Sequence, residues 1–126
     1  IDKEISEIFS VKELIPSAGQ GIIALQCRKE DKDVISLLKK INHTETFYRA
    51  CAERNVLKVL EGDCKTAVGA HASINGAKID LEAELFSLDG SQRFYEKSSS
   101  KIEDAQELGK KVGETLKAIS NNSYKR

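Results

Sequence analysis

The chain has 126 residues, with 20 Lys and Arg against 20 Asp and Glu, so its formal net charge is zero. That length suits one ordinary domain, or a small domain with a leader, and it can bury a real core. The even charge balance removes the basic excess on which nucleic-acid binding rests, and no apolar run approaches membrane-spanning length.

No signal peptide opens the chain. Ile stands at position 1 and Met is absent, so the chain is expected to be a piece of a longer product, with any active site only partly present. The cysteines are Cys27, Cys51 and Cys64. An odd number without framework spacing points to a reducing, cytoplasmic setting.

Residues 1–15 are weakly periodic (Ile5, Ile8, Val11, Leu14, Ile15) and predict a short helix and connector. Pro16 to Gly21 is a breaker-rich crossing. Ile22 to Arg28 is a compact apolar run that reads as a strand buried on both faces, as in a parallel sheet. The sequence holds no partner sheet for it. Residues 31–41 predict a helix with Val34, Leu37, Leu38 and Ile41 on one stripe. Asn42 and Glu45 have capping-box spacing before a longer helix reaching Leu60. The apolar positions of that helix, from Phe47 to Leu60, nearly encircle it and predict deep burial.

Three strands follow. Val68, Ala70, Ala72 and Ile74 share one face of the first, and Asn75-Gly76 signals a two-residue hairpin. Ile79, Leu81, Ala83 and Leu85 alternate with polar residues in the second, which places one face on a core and the other in water. Asp89-Gly90 turns the chain into a third strand at about 91–98. Ser100 and Glu103 have capping-box spacing ahead of a final helix carrying Ile102, Ala105, Leu108, Val112, Leu116 and Ile119. Gly109 and Gly113 lie one turn apart and permit close packing. The tail after residue 120 is expected to fray.

The fold class is therefore α+β. An α-β-β-β-α domain over 43–126 has a three-stranded antiparallel sheet covered on one face by two helices. Residues 1–42 form a remnant of a larger α/β lobe: hinge crossing 16–21, orphan strand 22–28 and helix 31–41. The orphan strand offers an edge through which the fragment could pair with a second copy.

Cys64 sits on a glycine-bearing loop just after a helix, among Glu61, Gly62, Asp63 and Lys65, where packing into a core is disfavoured. The helix C-terminus and the two acids raise a thiol pKa, and only Lys65 opposes them. That excludes a fast catalytic thiolate and leaves a thiol that reacts once with a strong electrophile. Cys27 and Cys51 lie in apolar runs and read as packing residues. No metal-ligand spacing joins the cysteines to His43 and His71; His43 reads as a capping or surface residue and His71 as exposed. Arg54, inside an apolar helix, requires either a carboxylate partner, the reading placed first, or an anionic ligand.

The segments Pro16-Ser17-Ala18-Gly19-Gln20-Gly21, Cys27-Arg28, Glu45-Thr46, Ala52-Glu53-Arg54 and Leu60-Glu61-Gly62-Asp63-Cys64, with the Asp89-Gly90-Ser91 turn, resemble porphobilinogen deaminase (hydroxymethylbilane synthase) across nearly the whole chain. The resemblance implies a cytoplasmic, monomeric transferase of heme biosynthesis. It joins four porphobilinogen units into hydroxymethylbilane with loss of ammonia. It also implies a dipyrromethane cofactor held by a thioether to Cys64, whose azafulvene-like electrophile needs no activated thiol. Gln20 and Gly21 would line the cofactor cleft, with Arg54 and Lys65 as further contacts or loop supports. The family's catalytic aspartate lies earlier in its sequence, so the fragment alone is expected to be inactive and to lack its cofactor. Asp63 stands where the family usually has a small residue, and Ala67 where it has a proline. The competing reading is a non-enzymatic α-β-β-β-α module that binds double-stranded RNA; Glu103 and Asp104 at the start of the last helix oppose it.

Overall fold

A computed structural model describes residues 4–61 and 66–125. Two helices precede the sheet: α1 (Lys32–Ile41) and α2 (Thr44–Leu60). The strands β1 (Val68–Asn75), β2 (Lys78–Phe86) and β3 (Arg93–Lys101) form an antiparallel sheet in the order β1-β2-β3. A short 3-10 turn, Ile102–Asp104, then leads into α3 (Ala105–Ser120). The expected α-β-β-β-α order and fold class are both present.

The core lies between one sheet face and the pair α2 and α3. Ala70 and Ala72 of β1 and Ile79, Leu81, Ala83 and Leu85 of β2 meet Val56 and Leu60 of α2 and Leu108, Val112 and Leu116 of α3. Each large apolar side chain buried there contributes about 1.5–3 kcal/mol. The register sets Ala72 opposite Leu81 and Leu85 opposite Phe94, so small and large side chains share the layer. Both glycines of α3 abut α2. A Cβ on Gly109 would collide with the Ala52 carbonyl oxygen, and one on Gly113 would come within 2.8 Å of the Val59 Cβ.

Several local expectations are corrected. Residues 22–28 form no strand, and Ile23 is 88% exposed. A strand needs a neighbour to take its backbone hydrogen bonds, and the sheet offers it none. The apolar stripe of α1 is likewise largely exposed at Leu37 and Ile41. Of the helix expected within 1–15, residues 5–15 show a turn at 11–13, where Ser10 donates to the Glu13 carboxylate, and residues 1–3 lie outside the described residues. The N-cap of α2 is His43, whose Nδ1 accepts from the Thr46 amide, rather than Asn42. Its burial is one-sided, since Phe47 stays exposed. Ser100 belongs to β3 and caps nothing at α3, because the strand runs on to Lys101. Ile119 is exposed, while Tyr124 in the supposedly frayed tail is buried.

The outer sheet face is not uniformly wet. Ile15 is buried against Gly69, where a Cβ would lie 2.6 Å from the Ile15 carbonyl oxygen. Glu84 is buried and paired with Arg93 at 2.8 Å.

The β2–β3 turn is held by Asp89, which accepts from the Ser87 hydroxyl at 2.6 Å and from the Ser91 amide and hydroxyl. The Ser87 hydroxyl bond, followed by the two from Ser91, lowers the Asp89 carboxyl to about 2 from 3.8. A folded pKa below the unfolded one adds stability that is complete above the unfolded value and lost as pH falls through the folded one. Asp89→Asn is therefore expected to lower the unfolding midpoint at neutral pH, and the gap from the parent should close between about pH 4 and pH 2. Chemical denaturation across that range checks this; a gap independent of pH would exclude the carboxylate as its source.

Candidate functional site: the crossing and the cleft beside it

β1 is an edge strand, and its outward amides are satisfied by groups from elsewhere. Ala70 donates to the Pro16 carbonyl at 2.9 Å, and Ala72 donates to Glu53 Oε1 at 2.8 Å. Arg49 Nε donates to the Ala72 carbonyl at 2.7 Å. The other Glu53 oxygen, Oε2, accepts from the Gly19 amide at 2.7 Å. Glu53 is 3% exposed. One buried carboxylate thus ties the crossing at 16–21 to α2 and to the sheet edge. Gly19 and Gly21 both have positive φ, at 77° and 78°, which suits glycine in this tight passage.

Beside the crossing lies an open cleft of about 970 Å³. Ser17 and Ala18 form one wall, and Arg54, Lys58 and Glu61 on the second half of α2 form another. Glu61 and Thr66, the described residues on either side of 62–65 in sequence, both line it. Cys64 itself lies outside the described residues, as do Gly62, Asp63 and Lys65.

The cleft has a cationic surplus. Arg54 and Lys58 are one turn apart, exposed, and without an ion-pair partner among the described residues. The carboxylate partner expected first for Arg54 is thus not found there. Glu61 is neutralised: Lys125 Nζ lies at 2.8 Å and Lys117 Nζ at 3.6 Å, and the Lys125 hydrogen bond leads in holding its carboxyl below the ordinary range. Among the described residues of the cleft, Arg54 and Lys58 are thus the cations left to face an anionic group.

Gln20 and Gly21 are exposed at the tip of the crossing, and the described wall of the cleft comes from Ser17 and Ala18 instead. Sequence reasoning had not singled out Glu53, Lys58 or Tyr124. The available signal for Glu53 was its place directly after the apolar Ala50-Cys51-Ala52 run, on the side of α2 that is buried. Cys51 packs against the core, and burial pushes its thiol up; Cys27 is half-buried in the irregular segment. His71 is half-buried on the outer sheet face. No cluster of three potential metal ligands exists among the described residues. Among them no helix is long and apolar enough to cross a membrane. On α3, Lys110 is engaged by Glu107 at 2.8 Å.

A family model described as "Porphobilinogen deaminase, C-terminal domain" matches residues 47–118. The chain is 37% identical over 115 residues to a porphobilinogen deaminase of Desulforamulus reducens, covering 91% of this chain and 37% of that protein. It is 34% identical over 125 residues to one of Chloroherpeton thalassium, covering 95% and 40%. It is 37% identical over 116 residues to one of Coxiella burnetii, covering 92% and 38%. The chain therefore spans about two fifths of the length of these curated relatives.

Proposed function

This chain belongs to the porphobilinogen deaminase family and carries its C-terminal domain, and on that premise we propose that it anchors a dipyrromethane cofactor by a thioether to Cys64. The observation that carries this reading is the cleft between the crossing and α2, with Arg54 and Lys58 in its wall and no ion-pair partner for either among the described residues. A dipyrromethane bearing acetate and propionate groups presents carboxylates, and two adjacent cations suit them. When bound, the group supplies the pyrrole primer to which porphobilinogen units are joined with loss of ammonia.

The chain's own residues bind and orient. Arg54 and Lys58 hold carboxylates at the α2 wall. Glu53 fixes the crossing, so that Ser17 and Ala18 keep the opposite wall in place. Gln20 and Gly21, at the crossing's tip, extend that wall toward the rest of the enzyme, with Lys65 supporting the loop. Residues 22–41, with their exposed apolar side chains, complete their packing against the remaining polypeptide of a family-length protein. The full enzyme converts porphobilinogen to hydroxymethylbilane as a monomer in the cytoplasm.

Intact mass of the protein at family length, compared with its Cys64→Ser variant, tests this. A dipyrromethane-sized adduct is expected on the parent and none on the variant; an adduct that survives the substitution would place the anchor elsewhere. The same assay series is expected to detect no hydroxymethylbilane from a polypeptide of these 126 residues alone, in which no counterpart of the family's catalytic aspartate is identified.

A further inference from the structure

The first half of the crossing holds β1 from three sides. On the outer sheet face, Ile15 is 6% exposed and lies over Gly69. A glycine inside a strand often marks the close approach of another backbone. Gly69 has that use: a Cβ there would stand 2.6 Å from the Ile15 carbonyl oxygen and 3.1 Å from Ile15 Cγ2. At the strand's edge, the Pro16 carbonyl accepts from the Ala70 amide at 2.9 Å. On the helix side, Ala18 packs against the core and the Gly19 amide donates to Glu53 at 2.7 Å.

The chain before and after has no comparable hold on the strand. Residues 4–10 and 23–26 are exposed throughout. Among the described residues, no backbone hydrogen bond joins 23–27 to the sheet or to α2, and α1 buries none of its residues. An open sheet edge is a template for pairing with another chain. On β1 the outward amides of Ala70 and Ala72 are already taken, by Pro16 and Glu53.

We infer that residues 15–19 form a clasp. They wrap the β1 edge from its outer face to its helix face, close it to other strands, and move with the sheet and α2 as one body. The hinge expected over 16–21 then divides, with its movable points before Ile15 and after Gly19. The wall that Ser17 and Ala18 give to the cleft is carried by the C-terminal domain, whatever the polypeptide on either side does. That consequence for a cofactor rests on the function proposed above; the clasp itself does not.

Site-resolved hydrogen exchange on this chain tests the clasp. It reads the amides of Ala70 and Gly19, with Leu81 of β2 and Val112 of α3 as internal references. Gly69→Ala places a methyl group against the Ile15 backbone. Exchange at Ala70 is expected to rise about fivefold or more, and exchange at Gly19 by a similar factor, although the Gly19 bond lies on the other side of the strand. Leu81 and Val112 should keep their parental rates. Ile15→Ala adds no atom to the sheet, and it should move the same two amides in the same direction by a smaller factor. If Gly19 keeps its parental rate in both variants, the attachments are independent and the clasp is refuted, whether or not Ala70 responds. If Gly69→Ala raises exchange at Leu81 and Val112 as well, Ile15→Ala decides alone, and a parental rate at Gly19 there refutes the clasp. Failure of the cofactor anchor appears elsewhere, as an unmodified intact mass of the family-length protein, so the two ideas can fall independently.

Discussion

Glu53→Ala is expected to destabilise the fold by about 3–5 kcal/mol, because it removes two hydrogen bonds to a buried charged acceptor, each worth about 1.5–3 kcal/mol net. The bonds join three separate pieces of chain: Gly19 in the crossing, Ala72 at the sheet edge and α2 itself. Alanine leaves both amides without their acceptor, and no other side chain reaches either amide among the described residues. A domain of this size has about 5–15 kcal/mol in total, so the loss is a large share. Glu53→Gln should fall between parent and alanine. Its amide oxygen can accept from one of the two N–H groups, but its NH2 then faces the other donor. Urea unfolding with an unchanged slope measures the loss. A cost below about 1 kcal/mol, the value of a single ordinary hydrogen bond, would mean that the bridge does not hold the crossing.

Gly109→Ala is expected to cost about 2–3 kcal/mol, although alanine is the better helix former by about 1 kcal/mol. Two effects compete. The propensity gain is fixed by the residue type. The packing loss depends on what the new methyl meets, and here it meets the Ala52 carbonyl oxygen and the Asn55 Cβ at 2.8 Å. Neither is the movable end of a long side chain, so α3 must shift away from α2. That separation would open the layer between Val56 and Val112, both fully buried. Gly113→Ala should cost less, since its nearest contact is the Val59 side chain at 2.8 Å. Equilibrium unfolding of the two variants orders them. Net stabilisation by Gly109→Ala would show that the helices can separate without loss.

Much of the architecture was legible in local pattern. The alternation of Ile79, Leu81, Ala83 and Leu85 predicts which face of β2 is buried, because a strand's side chains alternate whatever the sheet packs against. The positions of α1, α2 and the three strands follow from periodicity and from the turns at Gly76 and Gly90. Even there, the two-residue loop is Gly76-Ala77, with Asn75 still paired to Lys78. The failures share a cause. Residues 22–28 have strand composition, but composition cannot supply a neighbouring strand. Asn42 and Ser100 have capping spacing, but a cap depends on where the chain enters the helix. At α2 that is one residue later, at His43.

What the sequence by itself determined was the family, through motifs spaced along one chain, and the proposal of Cys64 as anchor rests on those motifs. What only the tertiary structure decided was how distant segments meet. Glu53 looked like the neighbour of Arg54 and proved to be the bridge between crossing and sheet edge. Tyr124 looked like part of a loose tail and proved to hold the Leu60 carbonyl at the end of α2. Both roles are hydrogen bonds between residues far apart in sequence, 34 positions for Glu53 with Gly19 and 64 for Tyr124 with Leu60. No local propensity encodes such a pairing. It exists because the packing of α2 against α3 and the sheet brings those groups within reach.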